Sequence, residues 1–379
     1  MAKRVQTEHP LRTASKPTAD PANRRLLRVV DLFSGCGGLS MGAEMAAQAL
    51  GRRLDVRLAV DSEQTASDVY KANFPTARQV RSASVETMFE PWWEETLSEL
   101  EANLAKKVGH VDVLMGGPPC QGHSNLNNHT RRNDPKNALY LYMVRAAQVF
   151  APKAVLIENV SAVQHDTYNG ANVVETARLQ LKRMGYEVHD TVVSLLDLGV
   201  AQQRKRHILL ATKHTFPAPA DVFDTLSDNK SPRRDLRWAI GDLKRTSASG
   251  WDAAPKASPA NLERMQYLLD ENQFDLPNDR RPVCHQGKHS YVSMYGRLDW
   301  KKPAQTITSG FGSIGQGRYM HPEQTRALTA HEAARIQGFP DYFDFGLVTK
   351  RTELATMIGN AVPPQLSERI IRTLYTHKR

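Results

Sequence analysis

The chain has 379 residues, which is enough for one large core or for one core and a smaller lobe. Its formal net charge of +10 favours a polyanionic partner. Nucleic acid is the first choice, an anionic membrane surface is the second, and a basic enzyme with neutral substrates is the alternative. No apolar run is long enough for a transmembrane helix, and with nucleic acid as the preferred partner no membrane partner is expected.

The first 25 residues contain no apolar signal sequence, and we expect them to form a disordered basic arm. The cysteines are Cys36, Cys120 and Cys284. They are too few and too scattered for a disulfide framework or a zinc site, so no metal site is predicted. This cysteine usage is typical of the reducing cytoplasm.

The first predicted strand, residues 26–33, leads into a glycine-rich turn over residues 34–38 and then into a helix. This order allows backbone N–H groups to approach a nucleotide-like ligand, although a tight turn without a ligand is the alternative. The dinucleotide pattern G-x-G-x-x-G is not met, because Ser40 stands where the third glycine belongs. A second strand, residues 56–60, ends at Asp61. We expect this carboxylate to bind ribose hydroxyls, with helix capping as the alternative.

Residues 111–115 form a third apolar run, which ends in Gly116-Gly117-Pro118-Pro119 and then Cys120. The prolines fix a rigid turn at the carboxyl end of a buried strand, where open α/β sheets bind their ligands. Cys120 is therefore a candidate nucleophile, and an ordinary buried cysteine is the alternative. The preceding stretch, residues 90–107, is predicted to be a charged, solvent-facing helix.

Residues 121–133 are polar and basic without periodicity, which is typical of a mobile lid. A helix over residues 139–150 and a strand over residues 154–157 follow. This strand ends at Glu158, where a carboxyl group at the end of an apolar strand can act as an acid or can cap a helix.

Strands are predicted over residues 192–196 and 207–211, with Gln202-Gln203-Arg204-Lys205-Arg206 between them. At strand periodicity Arg204 and Arg206 share one face, where two guanidinium groups suit a phosphate or a base carbonyl. A solvated basic strand end is the alternative. After residue 212 the periodicity fades, and we expect a separate small lobe.

Six stretches of the sequence, four of them described above, resemble the motifs of the DNA (cytosine-5) methyltransferases of bacteria and phages in order and spacing. The matching stretches are Asp31-Leu32-Phe33-Ser34-Gly35-Cys36-Gly37-Gly38, Gly117-Pro118-Pro119-Cys120-Gln121, Glu158-Asn159-Val160, Gln202-x-Arg204-x-Arg206, the run from Arg326 to Pro340, and Gly359-Asn360-Ala361-Val362-Pro363. The resemblance implies an α/β fold, with a Rossmann-like S-adenosylmethionine-dependent methyltransferase sheet, helices on both faces and a smaller target-recognition lobe. It divides the chain into a catalytic and cofactor-binding domain at 26–212, the target-recognition lobe at 213–325, and a return to the catalytic domain at 326–379.

The resemblance also implies a binding site for S-adenosyl-L-methionine. The residues assigned to it are Phe33, Gly35, Cys36, Gly38, Asp61, Gly117, Pro119, Leu139, Asn360 and Ala361. The family usually carries an Asp-hydrophobic pair after its third strand to hold the adenine. Ser84-Val85 stands in that place here, so the adenine contacts are not assigned. The DNA contacts implied are Gln121, Ser124 and Thr306, with Thr306 on a phosphate.

The implied reaction is transfer of a methyl group to C5 of a cytosine that is flipped out of a specific double-stranded DNA sequence. Cys120 would form a covalent bond to C6, Glu158 would be protonated or share a proton with N3, and Arg206 would hold O2. Arg204 would help to position Glu158 and the lid. The target sequence and the base that removes the C5 proton are not indicated by the sequence.

Three other readings compete with this one. An RNA cytosine-5 methyltransferase would carry the same catalytic set, although the distinct lobe favours duplex DNA. A catalytically silent DNA-binding relative would lack Cys120, Glu158 or the arginines, and all of these are present. A dinucleotide-dependent oxidoreductase is disfavoured by Ser40 and leaves Cys120 without a role. A cognate restriction endonuclease is a candidate partner, and the chain is expected to be a cytoplasmic monomer.

Overall fold

The computed structural model describes residues 25–377 except 92–93, 120–133, 244, 248 and 287–292, and also describes residues 9, 11–13, 15–17 and 22. The strands are β1 Leu26–Leu32, β2 Arg53–Asp61, β3 Val80–Ser82, β4 Val113–Gly116, β5 Ala154–Asn159, β6 Thr167–Tyr168, β7 Ala171–Asn172, β8 Glu187–Ser194, β9 Gln202–Gln203, β10 Lys205–Thr212 and β11 Ala304–Gln305. The helices are α1 Gly38–Ala49, α2 Gln64–Asn73, α3 Glu99–Val108, α4 Ala138–Phe150, α5 Val173–Arg183, α6 Pro219–Asp228, α7 Leu236–Ile240, α8 Pro259–Asp270, α9 Ala330–Ile336, α10 Arg351–Asn360 and α11 Pro364–Thr376. Among the residues described, no helix has the length and apolar character needed to cross a membrane.

The chain forms two compact units, each built from separate stretches of sequence. The sheet unit consists of Thr18–Leu198, Lys205–Ser231 and Val362–Arg379. The lobe unit consists of Met1–Pro17, Gly199–Arg204 and Pro232–Ala361. These divisions differ from the predicted ones at residues 213 and 325. The difference arises because α6 packs on β8 and α11 in the sheet unit, whereas α9 and α10 pack on one another and α9 packs on α7 in the lobe unit.

A seven-stranded sheet in the order β3-β2-β1-β4-β5-β10-β8 forms the centre of the sheet unit. Strands β1 to β5 are parallel, and β10 runs antiparallel to both of its neighbours. The chain passes from β1 outwards to β2 and β3 and then returns to β4 on the other side. The carboxyl ends of β1 and β4 therefore flank the switch point at which sheets of this kind bind ligands.

Helices cover both faces of this sheet, which explains why its central strands consist of continuous apolar residues. On one face Leu32, Leu114 and Ile157 pack in a core with α3, α4 and α5. On the other face α1 packs closely against α11. A Cβ atom at Gly42 would overlap the carbonyl oxygen of Pro364, so glycine is required at this crossing.

The predicted solvent-facing helix over residues 90–107 is wrong in its start and at one charged residue, Glu101, which is buried. Helix α3 begins at Glu99, where Ser98 and Glu101 form a capping box. Glu101 is fully buried because it pairs through both oxygens with the buried guanidinium of Arg145, at 2.7 and 2.6 Å. The other charged residues of α3, which are Glu99, Lys106 and Lys107, are exposed as predicted.

The lobe unit includes residues of the segment predicted to be a disordered arm. His9 donates a hydrogen bond from Nε2 to the carbonyl of Trp238 at 2.7 Å, and Leu11 is only 2% exposed. Arg12 forms an ion pair of 2.9 Å with Asp242. At these three residues the structure differs from the predicted disorder, because each side chain has a partner in the lobe unit.

Candidate active site

The glycine-rich turn between β1 and α1 is compact and depends on its glycines. Phe33, Gly35 and Gly37 have positive φ values of 56°, 52° and 102°, a region in which glycine alone is unstrained. A Cβ atom at Gly37 would lie 2.5 Å from the Phe74 ring, and one at Gly38 would overlap a backbone carbonyl oxygen. The space where a Cβ of Gly35 would stand is open. The turn is therefore closed on the protein side and accessible at Gly35.

Asp61 holds this turn against the end of β2. One of its carboxylate oxygens accepts the N–H of Gly35 at 2.7 Å, and the other accepts the N–H of Glu63 at 2.9 Å. The helix that follows has Glu63 at its N-cap, so the alternative in which Asp61 is the cap is wrong. Asp61 retains acceptor capacity beyond these two bonds, which is what binding of a ribose hydroxyl requires.

The turn after β4 approaches the end of β5. A Cβ atom at Gly117 would lie 3.1 Å from Oε2 of Glu158, so a larger residue there would press on the carboxylate. Asn159 donates from its side-chain amide to the carbonyl of Pro118 at 3.0 Å. Pro119 is exposed. The predicted Cys120, Gln121 and Ser124, with the predicted lid, lie outside the described residues.

Glu158 and Arg206 form an ion pair at the end of β5. Nε of Arg206 lies 2.7 Å from Oε1 of Glu158, and both side chains are largely buried, at 13% and 8% exposure. The contact lacks hydrogen-bond geometry, and Oε1 has no hydrogen-bond donor within the described ranges. A buried carboxylate oxygen of this kind favours a ligand that donates a hydrogen bond.

Comparison with known proteins shows the family of this chain. Residues 27–376 match the model of a family described as C-5 cytosine-specific DNA methylase. The chain belongs to this family. This methylase is 40% identical over 359 residues to the Type II methyltransferase M1.BsuMI of Bacillus subtilis (strain 168), covering 94% of this chain and 82% of that protein.

A second relative of the methylase is the Type II methyltransferase M1.HphI of Haemophilus parahaemolyticus, at 32% identity with 91% and 85% coverage. The S. pombe Dnmt2 methyltransferase has a similar fold, with a TM-score of 0.61 at 18% identity, over 92% of this chain and 98% of that one. These findings confirm the expected Rossmann-like fold and identify the chain as a DNA (cytosine-5)-methyltransferase that acts on DNA.

In the lobe unit of the methylase, the other predicted residues occupy defined positions. Arg204 is 3% exposed and donates to the carbonyls of Ile307 and Gly359 at 3.0 and 3.3 Å. Thr306 donates its hydroxyl hydrogen to the carbonyl of Gln203 at 2.7 Å, so a phosphate contact through this hydrogen requires that bond to open. Asn360 is the last residue of α10, and Ala361 follows it.

Leu139, which is assigned to the cofactor site, and Ser84, which stands where the family has an acidic residue, both have structural roles in the sheet unit. Leu139, in the first turn of α4, packs partly buried against the core. Ser84, in place of the acidic residue of the family pattern, caps a short 3₁₀ turn by accepting the N–H of Glu86, while Val85 is buried. A role of Ser84 in adenine binding therefore competes with its role as a cap.

Sequence reasoning missed a buried hydrogen-bond chain beneath the glycine turn. Ser40 lies 2.6 Å from Oδ2 of Asp31 and 2.5 Å from the hydroxyl of Tyr70. Ser40 donates to Asp31, and because the serine hydroxyl has a single hydrogen, the Tyr70 hydroxyl donates to Ser40. The substitution of serine for the third glycine was the available signal, since it places a hydroxyl where that pattern has none.

Cys36 in the same turn differs from a reactive thiol. It is 2% exposed, and burial raises its pKa to about 12, with Asp61 and Asp31 acting in the same direction. The thiol is therefore protonated at neutral pH and is a packing group of the turn. Its predicted cofactor contact would be made by an uncharged group.

Proposed function

We propose that this methylase transfers a methyl group from S-adenosyl-L-methionine to C5 of a cytosine flipped out of a specific double-stranded DNA sequence, through a covalent bond between Cys120 and C6. The observation that carries the proposal is the buried pair of Glu158 and Arg206. Oε1 of Glu158 has no hydrogen-bond donor among the described residues, and the carboxylate lies beside the turn that leads to Cys120.

The glycine turn suits the proposed cofactor. Phe33, Gly35, Cys36 and Gly38 would line the methionine end, and Asp61 would hold the ribose. The N-terminus of α1 has no side-chain cap among the described residues, so its N–H groups are available to a carboxylate. The remaining assigned residues are Gly117, Pro119, Leu139, Asn360 and Ala361. When bound, the cofactor supplies an electrophilic methyl group.

The side chains of this methylase would prepare the cytosine. The Cys120 thiolate adds to C6, and the electron pair of the ring double bond becomes available at C5. Glu158 donates or shares a proton at N3 as negative charge develops there, and Arg206 stabilises the charge at O2. After methylation a base takes the C5 proton, and the sulfur–C6 bond breaks. Arg204 is assigned a positioning role.

The reaction requires the base to leave the stacked duplex, because its ring is closed to attack from above and below. Gln121 and Ser124 would contact the DNA from the lid, and Thr306 would contact a phosphate. The lobe unit would read the target through base edges. The names of the two Type II relatives favour service beside a restriction endonuclease.

The test offers methyl-labelled S-adenosylmethionine with mixed-sequence duplex DNA and, separately, with total RNA. The wild type should label C5 of cytosine in DNA, and Cys120→Ser should lose this labelling while keeping the same thermal midpoint. Cys284→Ser is the matched control, since Cys284 is an exposed cysteine of the lobe unit, and it should retain activity. Labelling by Cys120→Ser would refute the nucleophile, and labelling of RNA alone would refute the substrate.

A further inference from the structure

Two side chains of the Gln202-x-Arg204 stretch bind both backbone polar groups of Ile307. The N–H of Ile307 donates to Oε1 of Gln202 at 3.1 Å, and its carbonyl accepts from Arg204 at 3.0 Å. All three residues are buried, with at most 3% exposure. Ile307 follows Thr306, the residue assigned to a DNA phosphate, so the backbone at this point is fixed by the two side chains.

The same side chains also bind the end of α10. Arg204 donates to the carbonyl of Gly359 at 3.3 Å. Gln202 donates to Oε1 of Gln337 at 2.6 Å, and Gln337 in turn donates to the carbonyl of Ile358 at 2.7 Å. Both amide side chains are fully buried. Hydrogen bonds between side chains and backbone thus connect Ile307 to the end of α10 that contains Gly359.

The two backbones also touch directly. A Cβ atom at Gly359 would overlap the backbone of Thr308 and Ser309. Neither segment can move alone, because displacement would leave buried amide and carbonyl groups without partners. Residues 306–308, which are assigned to DNA, and residues 359–361, which are assigned to the cofactor, therefore form one rigid element of the lobe unit.

We propose that Gln202, Arg204 and Gln337 are positioning residues that couple DNA binding at residues 306–308 to cofactor binding at residues 359–361. The inference rests on the proposed function, since that function gives the two segments their ligands. Because the two segments move as one element, a ligand that holds one segment in place also holds the other. The second ligand then binds to a site already in place, which is positive coupling between the two sites.

A purely structural role predicts a different result. If the amides only stabilised the fold, their loss would lower the thermal midpoint. It would also weaken the binding of each ligand by the same factor, whether or not the other ligand is present. The coupling factor is the ratio of the dissociation constants for one ligand measured in the absence and presence of the other. A residue that only stabilises the fold leaves this factor unchanged.

The experiment measures the dissociation constant of S-adenosylhomocysteine by titration calorimetry, without and with saturating duplex DNA. The duplex carries the site that the methyl-labelling test identifies. In the wild type the duplex should tighten binding by about 5- to 150-fold. Gln202→Met removes the hydrogen bonds of this side chain to Ile307, Gln337 and the carbonyl of Ile336 at similar volume, and it should reduce the factor at least fivefold. Gln203→Met makes the same change at the adjacent exposed side chain and should leave it unchanged.

Amide hydrogen exchange of the wild type gives a second test that does not depend on a variant folding. S-adenosylhomocysteine alone should slow exchange of the Ile307 amide, and the duplex alone should slow exchange of the Ala361 amide. An unchanged coupling factor in Gln202→Met, or protection confined to the segment that each ligand contacts, would overturn the coupling. Failure of the wild type to methylate DNA would instead overturn the proposed function.

Discussion

Asp31 gives a stability prediction that can be worked out from its surroundings. It is fully buried at the end of β1, and Ser40 donates to one of its oxygens. Its other oxygen has no hydrogen-bond partner in the part of the chain that the structure describes. Burial raises the pKa of Asp31 from its ordinary value of 3.8 to about 7, with the nearby charge of Asp61 adding to the effect.

The sign of the pH dependence follows from this raised pKa. Between pH 4 and pH 7 the folded protein keeps a proton on Asp31 that the unfolded chain has released, so the free energy of unfolding falls as pH rises. The stabilisation present at acidic pH is lost as pH rises through 7. A pKa difference of about three units corresponds to roughly 4 kcal/mol in total, and about 3 kcal/mol of this loss lies between pH 5 and pH 8.

Asp31→Asn removes the titrating group while keeping an acceptor for Ser40. Urea unfolding of the wild type and the variant from pH 5 to pH 8 should show the variant gaining about 3 kcal/mol relative to the wild type over this range. The test is the slope of the free energy of unfolding against pH. Any cost of the new amide that is the same at every pH leaves this slope unchanged. Asp68→Asn, at a half-exposed carboxylate of α2, should parallel the wild type. Parallel slopes for Asp31→Asn would refute the buried, raised carboxyl group.

Three further variants test the site and its support. Glu158→Gln should reduce methyl transfer about 10²- to 10⁴-fold in a single-turnover assay, because a neutral amide cannot transfer a proton. Arg145→Met should lower the free energy of unfolding by about 3–5 kcal/mol in urea titrations, since it leaves the charge of Glu101 buried without its partner. Gly38→Ala should lower the thermal midpoint and abolish binding of S-adenosylhomocysteine, because the new Cβ overlaps the carbonyl of Val362.

Each of these variants has a control within the sheet unit. Glu175→Gln, at an exposed glutamate, should transfer methyl groups at the wild-type rate. Arg178→Met removes the ion pair of a partly exposed arginine with Asp190, which keeps His207 as a partner, and should cost no more than about 1 kcal/mol. Gly51→Ala meets no neighbouring atom and should leave ligand binding unchanged, while the positive φ of 60° at Gly51 makes it lower the thermal midpoint as well. Full activity of Glu158→Gln, or equal costs for Arg145→Met and Arg178→Met, would contradict the assignments.

The sequence predicted the features that depend on local pattern. The strands ending at Asp61 and Glu158 and the glycine turn at Gly35 are visible because a buried parallel strand is a continuous apolar run that ends at polar or glycine residues. The burial of Glu101 was missed because its partner Arg145 lies 44 residues away. The amide pair of Gln202 and Gln337 spans 135 residues, and single-residue patterns contain no signal for such a partner.

Residues 199–204 belong to the lobe unit although the chain on either side of them belongs to the sheet unit. A chimera that exchanged only residues 232–325 with a relative would replace the Ile307 segment and keep the Gln202 and Arg204 that must bind it. The exchanged segment keeps the hydrogen-bond partners of Ile307 only where the recipient chain carries a glutamine and an arginine at positions 202 and 204. The same hydrogen bonds constrain folding. Residues 199–204 are synthesised about a hundred positions before the segment at Ile307, so their hydrogen bonds form only after that segment is made.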